Sequence, residues 1–120
     1  TLTSGNRVNG TTGGISSSTD GYIVGGYHSP PASITLIEKF SFTNEGSAWD
    51  VGDLAVKKSG ASCTSETSYG YIHSGEANPP NYTYQNDIER FAYTSGSTNV
   101  SVADIGTTPL TGAGAASAQF

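Results

Sequence analysis

The chain contains one sequence unit twice. Residues 21–27 (GYIVGGY) return as residues 70–76 (GYIHSGE), and residues 37–42 (IEKFSF) return as residues 88–93 (IERFAY). The offset is 49 residues for the first pair and 51 for the second, so the repeating unit is about fifty residues long. Such a period indicates a repeat architecture, in which each unit buries its apolar surface against its neighbours.

Each unit is predicted to form four short strands. The strands are expected at residues 12–18, 21–26, 36–42 and 48–54 in the first unit, and at residues 61–64, 70–74, 87–93 and 100–105 in the second. Long loops are expected at residues 27–34 and around Pro79 and Pro80, and no stretch shows a helical period. We therefore predict an all-β fold, a β-propeller segment with two four-stranded blades and flanking strands of adjacent blades.

The repeat boundaries divide the chain. Residues 1–10 are interpreted as the end of a preceding blade and a linker, residues 11–59 and 60–110 as the two repeats, and residues 111–120 as the first strand of a further blade or a swapped strand. Two blades cannot close a ring. We expect either a stretch of a longer repeat protein or a homo-oligomer, in which a trimer would give six blades. The first is favoured, because a trimer would have one innermost strand too many per chain, and the absence of methionine suggests a processed product or an excerpt of a longer polypeptide.

Composition narrows the classes of partner. The formal net charge is −5, and Lys57-Lys58 is the only locally basic pair, so nucleic acid and anionic membranes are not expected as partners. No apolar run has the length of a membrane span. The single cysteine, Cys63, cannot form an intrachain disulfide, and its small-residue surroundings predict a buried, inert thiol on an inner strand.

The first unit resembles a kelch-type propeller repeat. It has a strand that ends in residues 25–27 (GGY), a variable loop, the strand 37–40 (IEKF), and Trp49 after a turn. The pattern is similar to that of kelch-like arrays in bacteriophage tail-fibre and virion proteins, notably those of cyanophages. The second unit departs from it, with Ser74 in place of the first glycine and Val100 in place of the tryptophan. The resemblance implies a binding or scaffold role without a conserved catalytic set.

The residues themselves offer no catalytic constellation either. His28 and His73 are the only histidines, and neither has a second ligand at metal spacing. Asp53 and Asp104 occupy equivalent repeat positions, where a carboxylate more often holds a turn or pairs with a cation than performs acid–base chemistry. We therefore predict a protein that is not an enzyme and has neither a metal nor a cofactor.

The two proline-containing loops are the predicted binding surface. Proline stiffens a loop, so less entropy is lost on binding. Tyrosine and asparagine side chains offer stacking faces and hydrogen bonds that suit sugar rings, although the same tyrosines could simply cover a sheet edge. The candidate ligand contacts are Tyr27, His28, Asn78, Asn81, Tyr82 and Tyr84.

The functional expectation is a non-enzymatic virion or tail-fibre module with an extracellular location. It would act in structural display or host-surface recognition, with a cell-surface glycan as the favoured ligand and weak sites summed by avidity. The alternative is a purely structural or protein–protein propeller: a decoration protein, an extracellular filament subunit or a kelch adaptor. A glycan array would separate the two, because a scaffold should be silent on it.

Overall fold

The strands form two antiparallel sheets and a short hairpin. The computed structural model describes residues 14–28, 32–44, 46–77, 83–94, 100–104 and 106, and these residues contain no helix. The strands are β1 Gly14–Ser16, β2 Asp20–Val24, β3 Tyr27–His28, β4 Ala32–Ser41, β5 Trp49–Lys58, β6 Ser62–Ser65, β7 Tyr69–His73, β8 Glu76–Ala77, β9 Thr83–Tyr84, β10 Asp87–Ala92 and β11 Val100–Asp104.

Each sequence unit forms its own sheet. Sheet 1 has the strand order β1-β2-β4-β5, with β3 paired to the first residues of β4, and sheet 2 has the order β6-β7-β10-β11. Strands β8 and β9 form a separate hairpin. The all-β part of the prediction is confirmed. The described sheets do not close into a barrel or ring, and the propeller stays a prediction.

The two sheets share one register. Ile15 pairs with Tyr22 in sheet 1, and Thr64 pairs with Tyr71 in sheet 2, each 49 residues further on. Lys39 pairs with Trp49 as Arg90 pairs with Val100. Even the irregularity in the outer strand pair recurs, after Ile37 in sheet 1 and after Ile88 in sheet 2. The duplicated sequence therefore specifies duplicated backbone geometry, including a β-bulge.

The core lies between the sheets. In β2 the side chains of Tyr22 and Val24 point towards sheet 2. In β7 the side chain of Ile72 points towards sheet 1, and Gly70 lies on the same face of the strand. Tyr22, Val24 and Ile72 are all at most 2% exposed. A Cβ on Gly70 would lie 2.7 Å from Ile15 Cγ2, so the absence of a side chain is what lets the two sheets approach. The buried cluster comprises Ile15, Tyr22, Val24, Ile37, Leu54, Ala61, Ile72 and Phe91.

A buried ion cluster joins the sheets beside this core. The Lys58 ammonium, at the end of β5, donates to both carboxylate oxygens of Asp87 at 2.7 Å and to Glu89 Oε1 at 2.8 Å. Lys58 and Glu89 are fully buried. Glu89 also accepts hydrogen bonds from the backbone N–H groups of Ala55 and Val56. The cluster therefore ties the outer strand of sheet 1 to β10 of sheet 2.

Several strand boundaries were predicted wrongly. The loop expected at residues 27–34 contains β3 and the start of β4, because the chain resumes pairing immediately after Gly25-Gly26. The outer strand of the first unit was expected to end at residue 54, but β5 continues to Lys58, whose ammonium is held by sheet 2. Cys63 is half-buried against the core rather than fully buried. The predictions for residues 1–10 and 111–120 fall outside the described residues.

Candidate functional site

The predicted loop surface is described only in part. Tyr27 is half-buried in β3, where it pairs with Ser33, and His28 follows it in that strand. Tyr84 lies in β9 and is 49% exposed. Asn78, Asn81 and Tyr82 fall outside the described residues.

A serine network brings the two loop regions to the same end of the molecule. Ser33 Oγ lies 3.1 Å from Ser59 Oγ and donates to the Glu76 carbonyl oxygen at 3.0 Å. Glu76 in turn pairs with Tyr84 across the β8–β9 hairpin, while Ser33 pairs with Tyr27. The bases of the two loops are thus linked, as a shared binding surface would require.

The opposite end of the seam between the sheets carries a second candidate site. A groove of about 260 Å³ opens there between the start of β5 and the end of β10. We call it the seam groove. Its lining comprises Tyr22, Lys39, Trp49, Asp50, Val51, Tyr93 and Thr94. The volume is below the ~300–1,000 Å³ of pockets that enclose a drug-sized ligand, so the groove suits a shallow contact with one or two rings.

Aromatic faces and a cation dominate the seam groove. The Trp49 side chain is 45% exposed. The Lys39 ammonium lies 5.8 Å from the ring centroids of both Trp49 and Tyr22, within cation–π range. The Tyr22 ring stacks on Tyr93 of sheet 2 with centroids 5.1 Å apart and an interplanar angle of 21°. Residues of both sheets are therefore needed to build the groove.

An ion pair fixes the lysine. Lys39 Nζ lies 3.1 Å from Asp20 Oδ2, and the Thr19 hydroxyl donates to the same oxygen at 2.7 Å. Burial acts to raise the pKa of Asp20, but the hydrogen bonds from Thr19 and Lys39 outweigh it and lower that pKa overall. For Lys39, burial alone would lower the pKa, and the interactions of the ammonium with Asp20 and with Tyr22 reverse this to a net rise. The groove therefore keeps a fixed ammonium at neutral pH.

One buried polar atom of the groove is unsatisfied. The Tyr22 hydroxyl is buried, and within the described part of the chain no group meets the geometry of a hydrogen bond with it, although the Lys39 ammonium lies near enough to interact electrostatically. Burying a hydroxyl without a partner costs roughly 1–3 kcal/mol. Its neighbour differs, because the Tyr93 hydroxyl donates to the Ser16 carbonyl oxygen at 3.1 Å, and burial raises the Tyr93 pKa. A ligand hydroxyl in the groove could supply the partner that Tyr22 lacks.

The second unit does not repeat the groove chemistry. Val100 stands where Trp49 stands in the first unit. Arg90, the counterpart of Lys39, lies over the ring of Tyr69 at 4.5 Å from its centroid. The tryptophan–lysine arrangement therefore belongs to the first unit alone among the described residues.

The prediction from sequence missed this groove. Tyr22 and Tyr93 lie 71 positions apart in the chain, and only the packing of one sheet on the other brings their rings together. One signal was available: Trp49 is the sole tryptophan, and it follows a turn where an exposed side chain is expected.

The remaining chemistry-bearing residues have structural surroundings. Asp50 accepts a hydrogen bond from the backbone N–H of Gly52, and Asp53 accepts one from the Thr35 hydroxyl, so both support the irregular β4–β5 pairing. His73 lies in β7, with Nδ1 3.2 Å from Ser74 Oγ. Within the described ranges, no group of three or more His, Cys, Asp or Glu side chains could hold a metal ion.

Sequence comparison does not assign the chain to a known family. No protein-family model matches the chain, and a search of curated proteins finds no significant relative. Among the described residues there is also no helix of the length and apolarity needed to cross a membrane.

Proposed function

We propose that the chain is a β-propeller segment of a virion or tail-fibre protein that binds cell-surface carbohydrate without catalysis. Support for the architecture comes from the two consecutive four-stranded antiparallel sheets, which pack face to face with the same register. The first strands of the two sheets are neighbours, since the Ser16 backbone N–H donates to Ser65 Oγ at 3.0 Å. This order of strands is the one expected of adjacent blades around an axis, and it supports the proposal.

The seam groove is the observation that carries the carbohydrate proposal. An exposed tryptophan face suits the apolar face of a sugar ring, since an aromatic ring buries area at low entropic cost. Lys39, Asp50 and the Tyr22 hydroxyl are positioned around it as donors and acceptors for ring hydroxyls. The predicted loop surface at the opposite end is a second proposed contact region. Binding at either would be weak and would gain from multivalent display.

A purely structural role is the second candidate, and a specific observation favours it. Phe42 is 54% exposed on the outer face of sheet 1, close to Phe40. An exposed phenylalanine beside a half-buried one on a sheet face indicates a protein contact more readily than a polar ligand. A decoration protein, filament subunit or adaptor would need that face and leave the groove unused.

A glycan array probed with the wild-type chain and with Trp49→Ala tests the proposal. We expect the wild type to bind at least one glycan class and Trp49→Ala to lose at least tenfold in affinity, because the stacking face is removed. Trp49→Phe is the matched control and should retain most of the binding. A wild-type chain that is silent on the array at multivalent density would refute the carbohydrate function.

A loop variant separates the two proposed contact regions. The fourfold alanine variant replaces Tyr27, His28, Tyr82 and Tyr84. If the seam groove carries binding, this variant binds as the wild type does while Trp49→Ala does not. The opposite pattern would assign the ligand to the loops and remove the groove from the proposal.

A further inference from the structure

We infer that the outer face of sheet 1 is a docking surface for sheet 2 of a second copy of this chain, in a head-to-tail contact. The inference needs neither a carbohydrate ligand nor a closed ring. It rests on a contact within the chain that serves as a template: the equivalent face of the second unit, with Phe91 and Tyr93, already packs on sheet 1.

The template is the contact between sheets 1 and 2. Phe91 and Tyr93 lie edge to face, with ring centroids 5.8 Å apart and an interplanar angle of 80°. Phe91 is 1% exposed, and both rings contact Tyr22 of sheet 1, at 5.3 and 5.1 Å. Gly70 beneath Phe91 leaves the space that Ile15 of sheet 1 enters.

Sheet 1 carries the same face, and no sheet of the described residues covers its phenylalanine end. Phe40 and Phe42 are the counterparts of Phe91 and Tyr93, and their rings also lie edge to face, at 5.9 Å and 77°. Gly21, the counterpart of Gly70, lies beneath Phe40 in the same way. Phe42 nevertheless remains 54% exposed. Glu38 on this face is already buried, so the uncovered part is the end that carries the two phenylalanines.

Sheet 2 presents the complementary face on its far side. Strand alternation turns Tyr71 away from sheet 1, because its neighbours Gly70 and Ile72 face the core. Tyr71 is the counterpart of Tyr22, and Thr64, its cross-strand partner, is the counterpart of Ile15. If sheet 1 of a second copy is placed on sheet 2 as sheet 2 is placed on sheet 1 within the chain, its Phe40 and Phe42 lie on Tyr71.

The contact is heterologous, because each chain contributes two different surfaces. The phenylalanine face is the outer face of sheet 1, with Phe40 and Phe42, and the tyrosine face is the outer face of sheet 2, with Tyr71. A contact of this kind propagates into a ring or an open array. It also allows an experiment in which two defects complement each other. Phe42→Asp spoils only the phenylalanine face, and Tyr71→Asp spoils only the tyrosine face.

The test is the mass in solution of the 120-residue chain, measured by light scattering over a concentration series. We expect the wild type to form oligomers larger than a dimer at high concentration, and each aspartate variant alone to be monomeric. An equimolar mixture of the two variants should form a dimer and nothing larger, since one intact pair of faces remains. Circular dichroism of each variant confirms that it is folded.

Phe42→Tyr is the control, because tyrosine occupies the equivalent position 93 in the buried contact. It should assemble as the wild type does. A monomeric wild type at millimolar concentration would overturn the inference. So would folded aspartate variants that assemble like the wild type, or a mixture of variants that stays monomeric.

Discussion

At the scale of single residues, the two units show that a backbone conformation is kept where the residue type changes. The turn after the second strand has Gly25 and Gly26 in the first unit and Ser74 and Gly75 in the second. Gly25 has a φ of 58° and Ser74 a φ of 64°, so serine adopts the left-handed conformation that glycine adopts in the first unit. The backbone therefore follows the same path in both units. A non-glycine residue in this conformation is strained, typically by about 1–2 kcal/mol.

We predict that Gly75→Ala destabilises the chain far more than Ser74→Gly. Gly75 has a φ of 91°, and a Cβ there would lie 2.9 Å from the Ser59 carbonyl oxygen. Ser74→Gly relieves strain but loses the contact with His73, so its effect should stay within about 1 kcal/mol. Gly75→Ala should cost more than about 2 kcal/mol. Urea denaturation measures both, and equal effects would contradict the argument.

His73 should make the stability of the chain depend on pH near neutrality. Burial lowers its pKa below the ordinary 6.5, so the unfolded chain takes up a proton at a pH where the folded chain does not. Proton uptake by the unfolded chain lowers the free energy of unfolding. The contribution of the neutral His73 to stability is therefore fully present above pH 6.5 and is lost as the pH falls through the folded pKa. We expect the melting temperature to fall between pH 7.5 and pH 5.5.

His73→Val is the matched variant, because valine occupies the equivalent position 24 in the first unit. It should abolish that fall, since carboxylates titrate mainly at lower pH. An unchanged fall in the variant would show that another group is responsible.

At the scale of strands, the buried cluster around Lys58 determines how the two sheets meet. Removing one partner of a buried ion cluster leaves uncompensated charge, which typically costs about 3–5 kcal/mol. We predict a loss of that size for Lys58→Met, which strands the Glu89 carboxylate between the sheets. Lys57→Met, at the neighbouring half-buried position, should cost less than about 1 kcal/mol. Chemical denaturation of both compares them, and similar losses would argue against the cluster's role.

The strands also show what could be predicted from the sequence. The repeated segments predicted the existence and order of the four long strands in each unit, because period-two patterns are local. The short strands β3, β8 and β9 were assigned to loops, since the nearby prolines indicate turns. The residues that line the seam groove come from both units, so no local pattern could place Trp49 beside Tyr93.

At the scale of the whole molecule, the single core couples the two sheets. Phe91 of sheet 2 packs on Tyr22 of sheet 1, and both belong to one buried cluster. We predict that Phe91→Ala lowers the free energy of unfolding by about 3–5 kcal/mol and that both sheets unfold in the same transition. The sole tryptophan, Trp49, lies in β5 of sheet 1, whereas the substitution lies in sheet 2.

Tryptophan fluorescence and circular dichroism should therefore give coincident urea midpoints for this variant, both shifted from the wild type by the same amount. A fluorescence midpoint that stayed at the wild-type value would mean that the sheets unfold separately.

The Lys58 cluster has a further consequence for how an assembled array would come apart. In the sequence, the position 51 residues after Lys58 is occupied by Pro109, which carries no charge, so an equivalent of the Lys58 ion cluster is not expected at the seam between two copies. The contacts between chains are then weaker than the contact between the two sheets of one chain. Dilution or mild heating should dissociate the array into folded subunits before any subunit unfolds. Dissociation would then be reversible, because each subunit keeps its fold.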